Sequence, residues 1–231
     1  MKLAIMQPYF MPYIGYWQLM NAVDKYVLYD NIEYTKKGWF NRNRILLNGK
    51  DYLFTIPIKK DSDYLNVCDR YVAEDFNKNK FLNIFKEAYR KAPHFGNIFP
   101  IIEDIVKYED DNLFRYIYHS INIIRKALGI TTDIVVSSSI KINHELKGKN
   151  KVMAICKELE ATEYYNAIGG QELYNKIEFQ NNSIELKFLK SDLVPYKQFM
   201  NDFVSGLSII DVMMFNSVEE IKILLNNYTL I

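Results

Sequence analysis

Residues 2–30 have the sequence KLAIMQPYFMPYIGYWQLMNAVDKYVLYD, which is the stretch that decides the fold. Residues 2–7 form an apolar run that predicts a buried strand, and a loop with two prolines follows. Residues 14–23 have the pattern of a helix, and residues 25–30 have that of a second strand. A strand, a helix and a strand within about thirty residues are typical of a βαβ unit in a parallel sheet. The loop after the first strand is therefore expected at the carboxyl edge of the sheet, where open α/β folds bind ligands.

The rest of the chain extends this α/β pattern. Two β-rich runs flank Asn48-Gly49 within residues 39–58 and predict a hairpin, and Ser217 with Glu220 predicts a capping box. We expect an α/β fold with a mostly parallel sheet of Rossmann-like type, an inserted β-hairpin and a helical layer or subdomain at about 76–128, all in a single domain of residues 1–231. The periodicity predicts helices at 76–91, 98–107, 112–128, 148–159, 207–215 and 218–227, and strands at 134–137, 163–166 and 184–189.

Composition and charge exclude several classes of protein. Hydrophobic residues make up 49% of the 231 positions and charged residues 25%, as in globular domains. The 29 basic and 28 acidic residues leave a net charge of +1, so no nucleic-acid partner is expected. No apolar run reaches the roughly 18 residues of a membrane span, and we expect a cytoplasmic protein without one. Cys68 and Cys156 are expected to be reduced, and the isolated histidines predict neither a metal site nor a cofactor.

The loop after the first strand is the first candidate ligand site. Its two prolines stiffen the backbone, and a glycine at the helix start allows close approach of a ligand. A helix N-terminus also presents unpaired N–H groups that favour phosphate. The alternative is a rigid aromatic plug that packs on the sheet. The candidate binding residues are Gln7, Tyr9, Tyr13, Gly15 and Tyr16.

Residues 36–50 form the second candidate, with five basic residues and no acidic one. Arginine suits phosphate or carboxylate, whereas asparagine and tryptophan suit hydroxyl-rich rings. A strand that begins at Trp39 would place Trp39, Asn41 and Asn43 on one face and Phe40, Arg42 and Arg44 on the other. The register leaves open which face meets a ligand, and a solvated basic hairpin is the alternative. The candidates are Arg42 as a catalytic residue and Lys37, Trp39, Asn41, Asn43 and Arg44 as binding residues.

Asp30 and His94 are the candidates for proton transfer. Asp30 ends the second strand and could act as a base, as a ribose ligand or as the partner of Arg42 or Arg44. An ordinary salt bridge is the alternative role. His94 is the one histidine in a predicted loop and is a candidate acid or base, with a structural role as the alternative.

A third cluster follows the strand at 163–166. Asn166 ends that strand, and Gly169-Gly170 forms a turn before a predicted helix start. This order would again place backbone N–H groups at the edge of the sheet. Asn166, Gly169 and Gly170 are therefore candidate binding residues, and the serines at 137–139 are expected on the same edge.

Several of these motifs occur together in one known family. The stretches are QPYFMPYIGYWQL at 7–19, DKYVLYDNIEYTKKGWFNRNRI at 24–45, KAPHF at 91–95, YYNAIGGQELYNKIEF at 164–179, and YKQF with GLSIIDVMMFN within 196–216. In this order they make the sequence resemble the WbqC-like family of bacterial proteins over almost the whole chain. The resemblance implies a role in the biosynthesis of O-antigen or other surface polysaccharides.

The opening layout is also similar to that of class I nucleotidyltransferases and pantothenate synthetase-like ligases. Those families place His-x-Gly-His at this point to hold the phosphates of ATP. Tyr13 and Tyr16 occupy both histidine positions here. A tyrosine hydroxyl carries no positive charge near neutral pH, so the layout resembles those enzymes without their phosphate-binding groups.

Three functions remain open from the sequence. The first is a transferase that forms an amide on a nucleotide-linked amino sugar, with Asp30 or His94 as base and Arg42, Asn41 or the Gly169-Gly170 amides facing the oxyanion. No covalent nucleophile stands out, so direct attack on an activated donor is expected. The second is a nonenzymatic protein that binds a glycan or sugar nucleotide, and the third is an ATP-dependent ligase or nucleotidyltransferase. The sequence leaves the oligomeric state open.

Overall fold

The computed structural model describes residues 1–200 and 202–231. Eight strands and eight α-helices are present in these residues. The strands are β1 (Lys2–Met6), β2 (Lys25–Leu28), β3 (Arg42–Leu47), β4 (Lys50–Thr55), β5 (Asp133–Val136), β6 (Glu163–Ala167), β7 (Glu185–Ser191) and β8 (Tyr228–Leu230). The helices are α1 (Ile14–Asn21), α2 (Lys78–Tyr89), α3 (Phe95–Lys107), α4 (Leu113–Ala127), α5 (Gly148–Glu158), α6 (Lys176–Gln180), α7 (Ile209–Phe215) and α8 (Val218–Leu224).

Six strands form one sheet in the order β5-β2-β1-β6-β7-β8. All neighbouring pairs are parallel except β7 and β8, which are antiparallel. The predicted α/β fold with a mostly parallel, Rossmann-like sheet is therefore confirmed. The chain builds the sheet from β1 towards β5 and then returns to the other side of β1 with β6. Open α/β proteins bind ligands where the strand order reverses in this way, at the carboxyl ends of the strands.

The sheet is covered on both faces because alternate side chains of its strands point in opposite directions. Ala4 of β1 belongs to a large core that includes α1, the hairpin and α2, α3, α4 and α7. Its neighbours Leu3 and Ile5 belong to a smaller core with α5 and α6. The predicted helical layer corresponds to α2, α3 and α4, whose buried side chains share the large core with β2.

The predicted hairpin is confirmed as β3 and β4, which form a separate antiparallel pair. Asn48 and Gly49 have φ values of 53° and 76°, as a two-residue type I′ turn requires. The predicted strand start at Trp39 is wrong, because β3 begins at Arg42. The Trp39 carbonyl accepts a hydrogen bond from Phe10 N at 3.3 Å, and Arg42 Nε donates to Gly38 O at 2.9 Å. These bonds hold residues 37–41 as a turn instead of a strand.

Two other segments differ from the sequence prediction. The helix predicted at 98–107 begins at Phe95, because the His94 carbonyl already accepts from the amides of Asn97 and Ile98. The predicted helix start after Gly169-Gly170 is a 3-10 helix over Ile168–Leu173 instead. No helix among residues 1–200 and 202–231 has the length and apolar character needed to cross a membrane.

The C-terminal end combines a confirmed cap with an unpredicted strand. Ser217 and Glu220 form the predicted capping box at the start of α8. The apolar tail forms β8 at the edge of the sheet. Leu230 and Ile231 remain 38% and 45% exposed there, since an edge strand has a neighbour on one side only.

Candidate functional site

Asp30 lies at the carboxyl edge of the sheet, two residues after β2, and only 3% of it is exposed. Its Oδ1 accepts hydrogen bonds from Ser137 Oγ and Ser138 N, each at 2.9 Å. Both donors follow β5, which pairs in parallel with β2 and brings Val136 opposite Leu28. The carboxylate is thus held by the neighbouring strand end, while its Oδ2 accepts no hydrogen bond from the described residues.

A chain of hydrogen bonds continues from Ser137 to a histidine. Ser137 Oγ lies 2.5 Å from Asn31 Oδ1, and Asn31 Nδ2 lies 3.0 Å from His144 Nδ1. His144 Nε2 lies 3.0 Å from the Ile140 carbonyl. A carbonyl can only accept, so Nε2 carries the ring proton and Nδ1 accepts from Asn31. We call Asp30, Asn31, Ser137, Ser138, His144 and Lys151 the Asp30 cluster.

Lys151 brings a buried amine to this cluster. Only 3% of the residue is exposed, and its Nζ lies 5.0 Å from the ring centroid of Tyr29. Burial lowers the pKa of Lys151, and the nearby Asp30 carboxylate partly opposes that effect. Sequence reasoning did not select this residue. The available signal was a lysine on the apolar face of α5, one turn before the buried Ile155.

Cys68 also borders Asp30 but is not a nucleophile near neutral pH. Its backbone N–H donates to the Asp30 carbonyl at 3.2 Å. Burial, and after it the carboxylates of Asp69 and Asp30, raise the pKa of the Cys68 thiol to about 11. The reactive form of cysteine is the thiolate, so this thiol is in its unreactive form near neutral pH. Among the described residues, no three His, Cys, Asp or Glu side chains are grouped as metal ligands.

A cavity of about 640 Å³ lies at the base of the hairpin. We call it the basic cavity, because five of its lining residues are lysine or arginine. Arg70 is the buried member of this set, and sequence reasoning missed it. Its available signal was a single arginine between the apolar residues Val67 and Val72. The lining consists of Tyr34, Lys36, Asn41, Arg42, Thr55, Ile58, Lys59, Lys60, Asp61, Asp63 and Arg70.

The two predicted arginines of β3 both stack on Trp39. The guanidinium carbons of Arg42 and Arg44 lie 5.7 and 5.4 Å from the Trp39 ring centroid, within cation–π distance. Trp39 therefore shares the side of the arginines, contrary to the expected alternation. Arg44 Nη1 pairs with Asp51 Oδ2 at 3.2 Å, and Arg42 donates to the Gly38 and Lys37 carbonyls. Neither arginine forms an ion pair with Asp30, which was one expected role of that carboxylate.

The two predicted asparagines of the hairpin bind backbone groups. Asn41 Nδ2 donates to Ile56 O at 2.7 Å, and Asn43 Nδ2 donates to Met11 O at 3.0 Å and to Phe10 O at 3.2 Å. Both side chains are buried, whereas Lys37 is exposed. The outward face of β3 is thus the arginine face.

The aromatic loop packs on itself and on the hairpin. Tyr9 donates to Gln7 Oε1 at 2.8 Å, and Tyr16 donates to Gln7 O at 3.1 Å. Burial raises the pKa of Tyr9 to about 12. A Cβ atom on Gly15 would lie 2.5 Å from the Tyr13 ring, so that ring occupies the space beside the helix start.

No described hydrogen bond joins the remaining predicted residues to the Asp30 cluster. Asn166 Nδ2 donates to Tyr164 Oη at 3.3 Å, and Gly170 packs so closely beneath Asn166 that a Cβ would lie 2.9 Å from Nδ2. Gly169 belongs to the same 3-10 helix. His94 precedes α3, where its N–H donates to Met214 O at 3.2 Å. Asp30 accepts a hydrogen bond from Ser137 and interacts electrostatically with Lys151, and no described hydrogen bond joins it to His94 or Arg42.

Fold and site together define a Rossmann-like α/β protein with a buried carboxylate at its sheet edge and a basic cavity of small-molecule size. The chain belongs to the WbqC-like protein family, whose model matches residues 7–223. It is also similar to the uncharacterized protein Rv1507c of Mycobacterium tuberculosis, with 28% identity over 217 residues, 92% of either chain. No solved structure matches the chain.

Proposed function

We propose that this protein is a transferase of bacterial surface-polysaccharide (O-antigen) biosynthesis that forms an amide on a nucleotide-linked amino sugar. The observation that supports the proposal is the arrangement of Asp30 at the carboxyl edge of the sheet. One carboxylate oxygen is held by Ser137 and Ser138, and the other receives no hydrogen bond from the described residues. A fixed carboxylate with one free oxygen is suited to accept a proton from a reacting amine.

The reaction would be a direct acyl or aminoacyl transfer. The sugar amine attacks the carbonyl carbon of an activated donor, a C–N bond forms, and the leaving group departs with its bonding electron pair. The proton lost by the amine goes to Asp30 Oδ2. The buried amine of Lys151 interacts electrostatically with the Asp30 carboxylate, and this interaction partly opposes the lowering of the pKa of Lys151 by burial.

Two features support direct attack over a covalent enzyme intermediate. The Cys68 thiol has a pKa of about 11 and is protonated near neutral pH. Ser137 is fully buried, and its hydroxyl is within hydrogen-bond distance of two acceptors, Asp30 Oδ1 and Asn31 Oδ1. Neither residue is set up as a nucleophile, and the donor must therefore arrive already activated.

The nucleotide part of the substrate needs cations, and the basic cavity provides them near the same sheet edge. The segments 30–34 and 65–68 connect the two places, because Cys68 N donates to Asp30 O and Tyr34 N donates to Leu65 O at 3.0 Å. Arginine and lysine side chains in a concave site are well suited to phosphate oxygens. This placement supports a phosphate-linked substrate over a neutral one.

The test is a product assay by mass spectrometry with UDP-, dTDP-, GDP- and CMP-linked amino sugars and a panel of activated acyl donors. We expect one amide product with the wild type and a loss of at least 100-fold in Asp30→Asn. Asp133→Asn, an exposed carboxylate in β5, is the matched control and should stay within twofold. Normal turnover in Asp30→Asn would contradict the proposed role of Asp30.

The other two functions are separate outcomes of this experiment. Binding of a sugar nucleotide without product from any donor would favour a nonenzymatic binding protein. Stabilisation by MgATP alone, or release of pyrophosphate from it, would favour a ligase or nucleotidyltransferase. The geometry gives the ATP-dependent function little support, because Tyr13 covers Gly15 and Tyr16 is bonded to Gln7.

A further inference from the structure

The basic cavity holds more positive charge than its carboxylates neutralise. Lys36 Nζ lies 2.9 Å from Asp63 Oδ1, and Lys59 Nζ lies 3.6 Å from Glu74 Oε1. These two lysines therefore have partners. The lining cations that form no ion pair with the described residues are Arg42, Lys60 and Arg70.

Arg70 is the most unusual of these three cations. Only 3% of the residue is exposed, and its guanidinium carbon lies 4.7 Å from the ring centroid of Tyr34. Its Nε and Nη2 are buried and have no hydrogen-bond partner among the described residues. A buried charge with unpaired donors is unfavourable, and an anion beside it would relieve that cost. An anion in the cavity would offer these two donors a charged partner.

The platform beneath Arg70 is held in place by its neighbours. Tyr34 donates to Asn41 Oδ1 at 2.9 Å, and Asn41 in turn donates to the Ile56 carbonyl. The Arg70 carbonyl accepts from Leu113 N at 2.8 Å, which ties the arginine to the start of α4. These bonds fix Tyr34 and the Arg70 backbone, which lowers the ordering cost of binding a ligand at this place.

The positive field converges on the Tyr34 hydroxyl. Burial raises the pKa of Tyr34, and the charges of Arg70, Arg42 and Lys36 oppose that rise. These three cations reach the same region from the 66–72 segment, β3 and the turn before the hairpin. A small polyanion in the cavity could therefore meet more than one of them.

We propose that the basic cavity is a diphosphate-binding site, in which Arg70 is the buried anchor and Arg42 and Lys60 are the outer cations. A guanidinium fork can bind two oxygens of a phosphate group at once. The volume of about 640 Å³ falls within the range of about 300–1,000 Å³ typical of small-ligand sites. Asp61 also lines the cavity and could accept hydrogen bonds from sugar hydroxyls. That the diphosphate belongs to a nucleotide-linked sugar rests on the proposed function, whereas the anion site itself does not.

The test is titration calorimetry at low salt with inorganic pyrophosphate, UDP and, as the uncharged comparison, uridine. We expect pyrophosphate and UDP to bind the wild type and uridine to bind at least tenfold more weakly. Arg70→Met should weaken UDP binding at least tenfold, and Lys60→Met should weaken it about threefold. Arg90→Met is the matched control, because Arg90 is exposed at the end of α2, outside the cavity, and should leave binding unchanged.

Folding of each variant is checked by circular dichroism before titration. If Arg70→Met does not fold, the double variant Arg42→Met/Lys60→Met is tested instead. Its affinity for UDP should be at least tenfold lower than that of the wild type. Equal affinity of the wild type and the folded variants would overturn the site. Failure of pyrophosphate and UDP to bind the wild type would also overturn the diphosphate site. This holds even if an oligonucleotide binds the wild type instead.

The outcomes for the site and for the proposed function are distinguishable. UDP binding that depends on Arg70, without product from any donor, would support the diphosphate site and contradict the transferase function. An amide product formed by Arg70→Met with an unchanged KM for the nucleotide sugar would support the transferase function and contradict the diphosphate site.

Discussion

The Ser137 hydroxyl donates to Asp30 Oδ1 at 2.9 Å, although the two residues are 107 positions apart in the chain. The bond forms because β2 and β5 are parallel neighbours, and the residues after each strand reach the same edge of the sheet. Asp30 is 3% exposed, so this hydroxyl replaces water as a partner for the carboxylate.

Removal of this partner should cost stability. Ser137→Ala leaves a buried carboxylate oxygen with one donor fewer, and we expect a loss of about 1–3 kcal/mol in the free energy of unfolding. Ser139→Ala is the matched control, because Ser139 is exposed and its hydroxyl donates to Val136 O and to no other group among the described residues. Urea unfolding measures both. Equal stability of the two variants would contradict a structural role for the Ser137–Asp30 bond.

Two glycine substitutions should have opposite effects on stability. A Cβ on Gly15 would lie 2.5 Å from the Tyr13 ring, so Gly15→Ala must displace that ring and should cost about 1–3 kcal/mol. Gly96 is the second residue of α3 and has no atom within 4 Å of an added Cβ, so Gly96→Ala should gain up to about 0.5–1 kcal/mol. Thermal and urea unfolding give the sign of each change. A stabilised Gly15→Ala would show that the Tyr13 ring is free to move.

Asp211 should make stability depend on pH. It is fully buried and accepts hydrogen bonds from Tyr89, Tyr196 and Gln198. Burial raises its pKa, and these hydrogen bonds only partly oppose the rise. The folded state therefore binds a proton more tightly than the unfolded state, which stabilises the protein. That contribution is fully present below the ordinary aspartate pKa of about 3.9 and is lost as the pH rises through the folded-state value.

The comparison with Asp211→Asn isolates this effect. The asparagine variant cannot titrate at this position, so the stability of the wild type relative to it should fall as the pH rises from about 4. Urea unfolding at several pH values measures the difference, with Asp133→Asn as an exposed control. A difference between the wild type and Asp211→Asn that does not change with pH would contradict the raised pKa.

Cys68 should resist alkylation in the folded protein. With a pKa of about 11, its thiolate fraction at pH 7.5 is about two to three orders of magnitude below that of a free cysteine with a pKa of about 8.5. Iodoacetamide labelling followed by mass spectrometry should therefore show slow modification, with full labelling in urea. Cys68→Ser should keep any transferase activity. Fast labelling of the folded protein would contradict the raised pKa and make Cys68 a candidate nucleophile.

Much of the fold could be predicted because its signals are local. The apolar run at 2–7, the helical spacing at 14–23 and the β-rich run at 25–30 specify a strand, a helix and a strand without reference to the rest of the chain. Asn48-Gly49 specifies its own turn through positive φ values, and Ser217 with Glu220 caps its own helix. The start of β3 could not be predicted this way. Trp39 is held in a turn by Phe10, a residue from the first loop.

The sequence by itself placed Asp30 at the end of a predicted strand, close to the observed end of β2 at Leu28, because strand positions follow from local periodicity. Only the tertiary structure decided which groups meet it. Ser137 and Lys151 reach Asp30 through the order of parallel strands and the packing of α5, and Arg70 reaches the hairpin through the segment that joins β4 to α2. These contacts between residues distant in sequence depend on the register of the strands and on the burial of charged groups. Neither the register nor the burial can be read from one sequence, because side chains distant in sequence become neighbours only once the sheet has formed.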